Sequence, residues 1–438
     1  NQGAYFTFDD GFRGRELWYY DVDTDNYGIV ADINPGPPSS NPRCFQPRPA
    51  GGAFFAATTE QHGEELWRVS SHDPRDHTAN LVKDIMPGAM SSNPQPQGVH
   101  EHLLLFYATT LQHGTELWCT NGAPEQTAMV ADLQPGTGSS YPGHPLVLPD
   151  EQGAYAAALS GGGQGLMLCR YDYDTNQLRV LADIDEDAAP NVRLGDNLLL
   201  ADTKAGYGRE LCRYVPGATA TEVLADLCPG PEGSDPAEWF KHEGRVYFSA
   251  HTPETGRELW VTDGTPEGTR LVADIAPGGA DSNPYGHVAF EQQIFFRAYH
   301  PAHGDELWVL DPAEGSVALA ADTNPGPASG APYNLVAGKD RFFYSASDGI
   351  HGEELWSLRA TEKGWTAALV ADIVPGAMNS APHKLQWVKQ RPDVGIFVCT
   401  LPDEGDVLFR LDAAPGATPA VRRVTTPRPN ATRKETEQ

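Results

Sequence analysis

The sequence predicts an all-β fold, a single β-propeller of four-stranded antiparallel blades, and three observations predict it. A segment Gly-x-Glu-Leu-Trp returns along the 438-residue chain about every 48 residues. An Ala-Asp-Ile-like triplet trails each of the first eight copies, and Pro-Gly follows in seven of them. The stretches between are short runs of β-formers bounded by Gly, Pro, Asn or Asp, in a chain with 45 Gly and 37 Pro.

The first signal is intact at Gly14–Trp18, Gly63–Trp67, Gly114–Trp118, Gly256–Trp260, Gly304–Trp308 and Gly352–Trp356. At residues 208–212 Cys212 replaces the Trp, and residues 165–169 and 405–409 are eroded copies with Met167 and Val407 at the Glu position. Successive Glu positions are separated by 49, 51, 51, 43, 48, 48, 48 and 53 residues, which gives nine units.

One unit reads as four strands. Strand A follows the Pro of a Ser-x-Pro-like segment, as in Gly286–Phe290, and strand B is the aromatic run Ile294–Ala298. Strand C is Glu306–Leu310 and strand D is Val317–Asp322. A blade of this kind has two apolar faces and must stack on neighbours to bury both. Strands B and C can be found nine times, and Pro419–Thr425 supplies a ninth strand D. Only eight strands A are visible, because the chain opens on a strand B, Ala4–Phe8. Nine blades is the literal count, eight the alternative if the last unit stays outside the ring. The propeller is expected over residues 1–425, with a polar tail at 426–438 that is loose or closes the ring. Closure is expected to need that tail, or residues upstream, as the first blade's inner strand.

The repeats resemble the ELWxxDGT repeat family of bacterial secreted and surface proteins. The likeness covers residues 1 to about 412, and its fullest copy is residues 258–269, Glu-Leu-Trp-Val-Thr-Asp-Gly-Thr-Pro-Glu-Gly-Thr. The resemblance implies a propeller and an extracellular or cell-surface location, with any signal peptide already removed. It implies no activity.

Composition narrows the partners. A net charge of −28 disfavours nucleic acid and anionic membrane surfaces. No run approaches the ~20 apolar residues of a membrane span. The six cysteines lack metal-type spacing, so they are either buried hydrophobes or two to three disulfides.

A carboxylate repeated around a ring reads as frame, since a glycosidase needs one special pair. Each recurring Glu is expected to accept hydrogen bonds from a neighbouring turn and so pin blade to blade. The recurring Asp is expected to accept turn N–H groups. His62, His113, His303 and His351 precede the Gly of the B–C turn, and equivalent positions ~10 Å apart on adjacent blades cannot share one ion. No metal site and no cofactor is expected, with calcium at acidic loops such as residues 185–187 as the alternative.

The residues after the D–A prolines vary from unit to unit. Arg43, His144, Arg193, His287, His383 and Lys384 are the candidate ligand-binding residues, forming a basic channel mouth suited to a carboxylate or an acidic glycan. No catalytic residue is assigned, because no nucleophile elbow, phosphate loop, dinucleotide fingerprint or zinc-protease motif is present. The expectation is a non-catalytic scaffold or adhesion module that binds a protein partner or its own copies, as a subunit of a larger assembly. A lectin is the alternative. A polysaccharide lyase or glycosidase with its site at the channel mouth is the second alternative.

Overall fold

The computed structural model describes residues 3–424 except 50, 71–77, 141–146, 150–152, 160–164, 186–187, 363, 389–390 and 403. The repeats form nine antiparallel sheets in a ring, a nine-bladed β-propeller with no α-helix among the described residues. Blades 2 to 9 have four strands each, and blade 1 has three, B, C and D. The blades occupy residues 3–31, 43–83, 95–131, 147–184, 189–225, 237–273, 285–321, 333–371 and 383–423. Successive A strands pack on one another, so the A edge of each sheet lines the axis.

The core lies between blades, as two-faced sheets require. Phe295 and Leu307 of blade 7 pack against Phe342, Tyr344 and Leu358 of blade 8. Val246 and Phe248 of blade 6 meet Leu199 and Leu211 of blade 5. In blades 1 to 8 the C–D pairing slips by one residue after the motif Leu, as between Leu307 and Trp308. Such a bulge adds local twist and turns strand D toward the next blade.

The repeated Glu ties each blade to its successor. Glu16, Glu65, Glu116, Glu210, Glu258, Glu306 and Glu354 are all fully buried. Glu258 accepts the N–H groups of Ile275 (2.9 Å), Ala276 (3.1 Å) and Ser282 (3.2 Å), and the Ser282 hydroxyl (2.6 Å). The Ser282 carbonyl then accepts the N–H of Tyr299 on strand B of blade 7 at 2.8 Å. The same chain of contacts joins Glu16 through Ser40 to Thr58, and Glu354 through Ser380 to Thr400. Each carboxylate thus fixes the loop that delivers the chain to the next sheet.

Unit four lacks the Glu, and the next blade supplies a substitute. Asp202, fully buried on strand B of blade 5, accepts the Asp185 N–H at 3.0 Å and is paired with Lys204 at 2.6 Å. It also accepts the Thr221 hydroxyl at 2.5 Å.

Among the described residues, the two ends of the ring meet through sheet packing and ion pairs. Tyr20 and Val22 of blade 1 pack directly on Val388, Val394 and Ile396 of blade 9, with Val424 in the same cluster. Arg410, 8% exposed, donates to the Val22 carbonyl at 3.1 Å and pairs with Asp412 at 2.7 Å. Arg422 pairs with Asp25 across the same seam. Sheet packing therefore closes the ring, and the ninth unit belongs to it. None of the six cysteines is in a disulfide, and five are buried. Burial pushes the Cys169 and Cys212 thiols up to about 12.

Two predictions test the frame. Glu258→Gln places an amide NH2 against donors and should cost about 2 kcal/mol in urea unfolding. Burial also pushes the Glu258 carboxyl from 4.5 up to about 7, against the pull of Ser282, Ile275 and Ala276. The folded chain then holds a proton that the unfolded chain releases, so stability should fall as pH rises from 4.5 toward 7. The variant should show a shallower slope. Separately, Arg410→Ala strands the buried Val22 carbonyl and unpairs the half-exposed Asp412 carboxylate at the closure and should cost about 2 kcal/mol, measured the same way.

Candidate functional site

The B–C turns and D–A loops lie on one face of the disc, and three positions of each blade converge there. They are the first residue of strand A, the strand B residue paired with the motif Leu, and the strand C residue before the Glu. Arg43 opens strand A of blade 2 and is clamped by Glu64 of strand C at 2.6 and 2.8 Å. In blade 7 the strand B residue Arg297 lies under the Tyr285 ring, 4.9 Å from its centroid, and pairs with Asp305. Between blades 5 and 6, Asp235 accepts from both Arg209 (2.5 Å) and Arg257 (2.9 Å).

Strand A reaches this rim through an irregular first turn. Its second residue has a left-handed backbone at Cys44, Glu238, Gly286, Asn334 and Lys384, with φ between 50° and 69°. Each is accompanied by a register shift against strand B. Only Gly and Asn adopt this conformation readily, so Lys384, Cys44 and Glu238 are held there by the surrounding frame.

A cavity of about 340 Å³ opens on this face where blades 7 and 8 meet. Arg297, Tyr333, Ser347, Glu353 and Asn379 line it, with the Gly330-Ala331 turn as one wall. Most D–A loops carry Ser at the position of Gly330, and here Glu306 takes the Gly330 N–H alone, at 2.7 Å. A Cβ on Gly330 would stand 2.5 Å from a Glu306 oxygen. Asn379 accepts the Glu353 N–H at 2.9 Å, which leaves its amide NH2 available.

Glu353 is the electrostatically exposed group of this cavity. Among the described residues its carboxylate has no bonded cation or donor. Burial pushes its carboxyl above the usual range, and the nearby His383 only partly offsets this. Arg297 borders the cavity with its charge already shared with Asp305, and its Nε is buried without a partner.

The six residues expected at a basic mouth have different fates. Arg43 is at the rim but neutralised by Glu64. His144 lies outside the described residues. Arg193 pairs with Leu198 one step before the A–B turn, so it belongs to the opposite face, and its Nε donates to the Gly195 carbonyl at 3.1 Å. The reason is the lost Pro-Gly loop of unit four, which lets strand A start five residues after strand D instead of the usual twelve. His287 is stacked between Phe240 (5.8 Å) and Phe296 (5.4 Å), and burial lowers its pKa to about 4. It is a neutral core ring. His383, held by the Ala381 carbonyl at 2.9 Å, and the exposed Lys384 remain at the mouth.

Sequence reasoning missed Arg297, Tyr333, Glu353 and Asn379 as a group, because they come from three strands and a loop of two blades. One signal was present: residues 328–332 read Ala-Ser-Gly-Ala-Pro, with Gly330 where six other units have Ser40, Ser92, Ser140, Ser234, Ser282 and Ser380. The turn histidines hold frame carboxylates, as His62 with Asp84 at 3.0 Å and His303 with Asp322 at 2.8 Å. No cluster of three or more His, Cys, Asp or Glu suited to a metal ion occurs among the described residues. Asp263 of the Asp-Gly-Thr stretch is taken up by the Thr265 N–H (2.9 Å) and hydroxyl (2.6 Å), a local turn.

No protein-family profile matches the chain, and no curated protein matches it. Solved structures do. A prolyl endopeptidase is 12% identical with a TM-score of 0.44, covering 75% of this chain and 49% of its own. A puromycin-hydrolysing peptidase of Mycobacterium tuberculosis is 12% identical with a TM-score of 0.41, over 76% of this chain and 53% of its own. A post-proline cleaving enzyme from Rickettsia typhi is 9% identical with a TM-score of 0.43, over 75% and 52%. This chain thus spans about half the length of each, and the likeness is one of fold alone. The expectation of a non-catalytic structural and adhesion module is corrected by this finding, because the rings that match belong to peptidase chains.

His287→Leu tests the reassignment of that residue. Leu335 and Leu385 fill the corresponding place in blades 8 and 9, so the variant should melt within about 1 kcal/mol of wild type. It should also leave every ligand affinity unchanged in calorimetric titration.

Proposed function

We propose that this ring recognises peptides, as a propeller working with a peptidase would, and that the cavity between blades 7 and 8 receives a peptide amino terminus. The observation that carries the reading is the Glu353 carboxylate. It is half-buried, unpaired among the described residues and turned onto a cavity that also holds donors. A buried carboxylate without a cation is costly, and a ligand ammonium would supply one. The Asn379 amide then faces the carbonyls of the first residues, and the Tyr333 ring supplies an apolar wall. The size suits one or two residues of a peptide. The peptidase rings contribute no more to this reading than the fold they share.

Calorimetric titration with tri-alanine and its N-acetyl derivative tests it. Tri-alanine should bind at least tenfold more tightly than the acetylated peptide, and Glu353→Gln should abolish the difference. The Glu353 carboxyl lies above its usual value, so affinity should fall as pH drops through that raised range, while the ligand ammonium stays charged. Equal affinity for the free and blocked peptides, or none at millimolar peptide, would overturn the proposal.

A further inference from the structure

Two arginines on the other face of the disc lack the acids that meet their counterparts. Arg48 follows directly on strand A of blade 2, and Arg68 lies in strand C of the same blade. Both are half-buried, and among the described residues neither side chain makes an ion pair or a hydrogen bond. Arg43, Arg209, Arg257 and Arg297 are also half-buried, and each has a bonded carboxylate. The chain has 59 Asp and Glu against 31 Lys and Arg, so two neighbouring guanidinium groups without an acid are an exception.

The two side chains share one wedge, between blades 2 and 3. The Arg48 guanidinium lies over the Phe54 ring, 5.1 Å from its centroid. Arg68 is paired in register with Phe54 and reaches Gly122 in the C–D turn of blade 3. The place a Cβ would take on Gly122 is 3.0 Å from the Arg68 Nη1 and 3.4 Å from the Phe54 Cε1. Burial lowers the Arg48 pKa, and the charge of Arg68 pushes the same way. The Arg48 Nε is buried without a partner, whereas the terminal nitrogens of both side chains reach solvent.

The frame requires neither arginine. The place of Arg48 is taken by the buried Leu194, Phe290 and Val388 in blades 5, 7 and 9. The place of Arg68 is taken by Val261 and Val309 in blades 6 and 7, and by Arg213 and Arg410 in blades 5 and 9. Arg213 pairs with Glu222 of strand D at 2.7 Å, and Arg410 with Asp412 at 2.7 Å. Opposite Arg68, at the strand D position of Glu222, stands Asn80, whose amide is turned to Thr78. In one wedge, then, an arginine replaces an apolar residue and a neutral amide replaces an acid. Like charges in a partly desolvated place repel, and an anion between them removes that cost.

We propose that Arg48 and Arg68 form a binding site for a phosphoryl dianion, either free phosphate or a phosphate monoester. Two guanidinium forks offer paired donors to a tetrahedral oxyanion, and their summed charge matches its own. The site is independent of the cavity between blades 7 and 8, which opens on the opposite face.

Calorimetric titration of the full chain at low salt, with inorganic phosphate, O-phosphoserine and acetate, tests it. Phosphate and phosphoserine should each bind once per chain, at least tenfold more tightly than acetate. Tighter binding of phosphoserine would identify a monoester as the ligand and the reverse the free ion, and both support the site. Arg48→Leu and Arg68→Val carry residues that other blades already have at these places, so both variants should fold. Each should lower phosphate affinity at least tenfold. A second measurement needs no variant: phosphate should slow phenylglyoxal modification of Arg48 and Arg68 at least fivefold, and leave the exposed Arg359 unchanged. Acetate binding as tightly as phosphate, no binding at millimolar phosphate, or no protection of the two arginines would overturn the proposal.

Discussion

Seven glutamates are buried completely inside the blades, and a buried carboxylate is tolerated only where donors meet it. Here the donors come from the loop that is leaving for the next blade. Satisfying the carboxylate therefore sets the path of that loop, and the loop sets the neighbouring strand B. The angle between successive sheets follows from a hydrogen-bonding requirement, and apolar packing fills the wedge that the angle leaves. Unit four shows the constraint by its exception: without the Glu, the loop shortens and Asp202 provides a carboxylate from the other side.

The candidate site arises where this frame is relaxed without being broken. At Gly330 the carboxylate keeps its backbone donor and loses the hydroxyl, and Gly330 borders the cavity of Tyr333 and Glu353. Elsewhere on the rim acid and base neutralise each other, as in Arg43 with Glu64 or Asp235 with two arginines. Glu353 stands out because it is half-buried and no cation is bonded to it among the described residues. The difference between frame and site is thus one of pairing, since both are built from the same residue types at equivalent positions.

The seam between blades 1 and 9 obeys a different rule. Six of the other eight junctions are fastened by a buried Glu and Ser, whereas this one uses arginines of the last blade against acids and a carbonyl of the first. A junction formed by chain ends distant in sequence has a larger loop-closure entropy to overcome.

The sequence by itself determined the ring, its nine units and their strands, because a repeated motif reports an environment repeated nine times. It also identified the Glu and Asp as frame, since no chemistry needs one acid copied around a circle. It did not reveal which rim side chains are free. Arg43 and His287 look alike as basic residues after a proline, and only their neighbours in space, Glu64 in one case and two phenylalanines in the other, separate them. Arg193 was misplaced for a related reason: a shortened loop shifts the residue to the opposite face without altering its local sequence. The cavity of Arg297, Tyr333, Glu353 and Asn379 was decided by tertiary structure alone. It joins positions on two sheets, and burial, which gives Glu353 its character, is a property of the assembled ring.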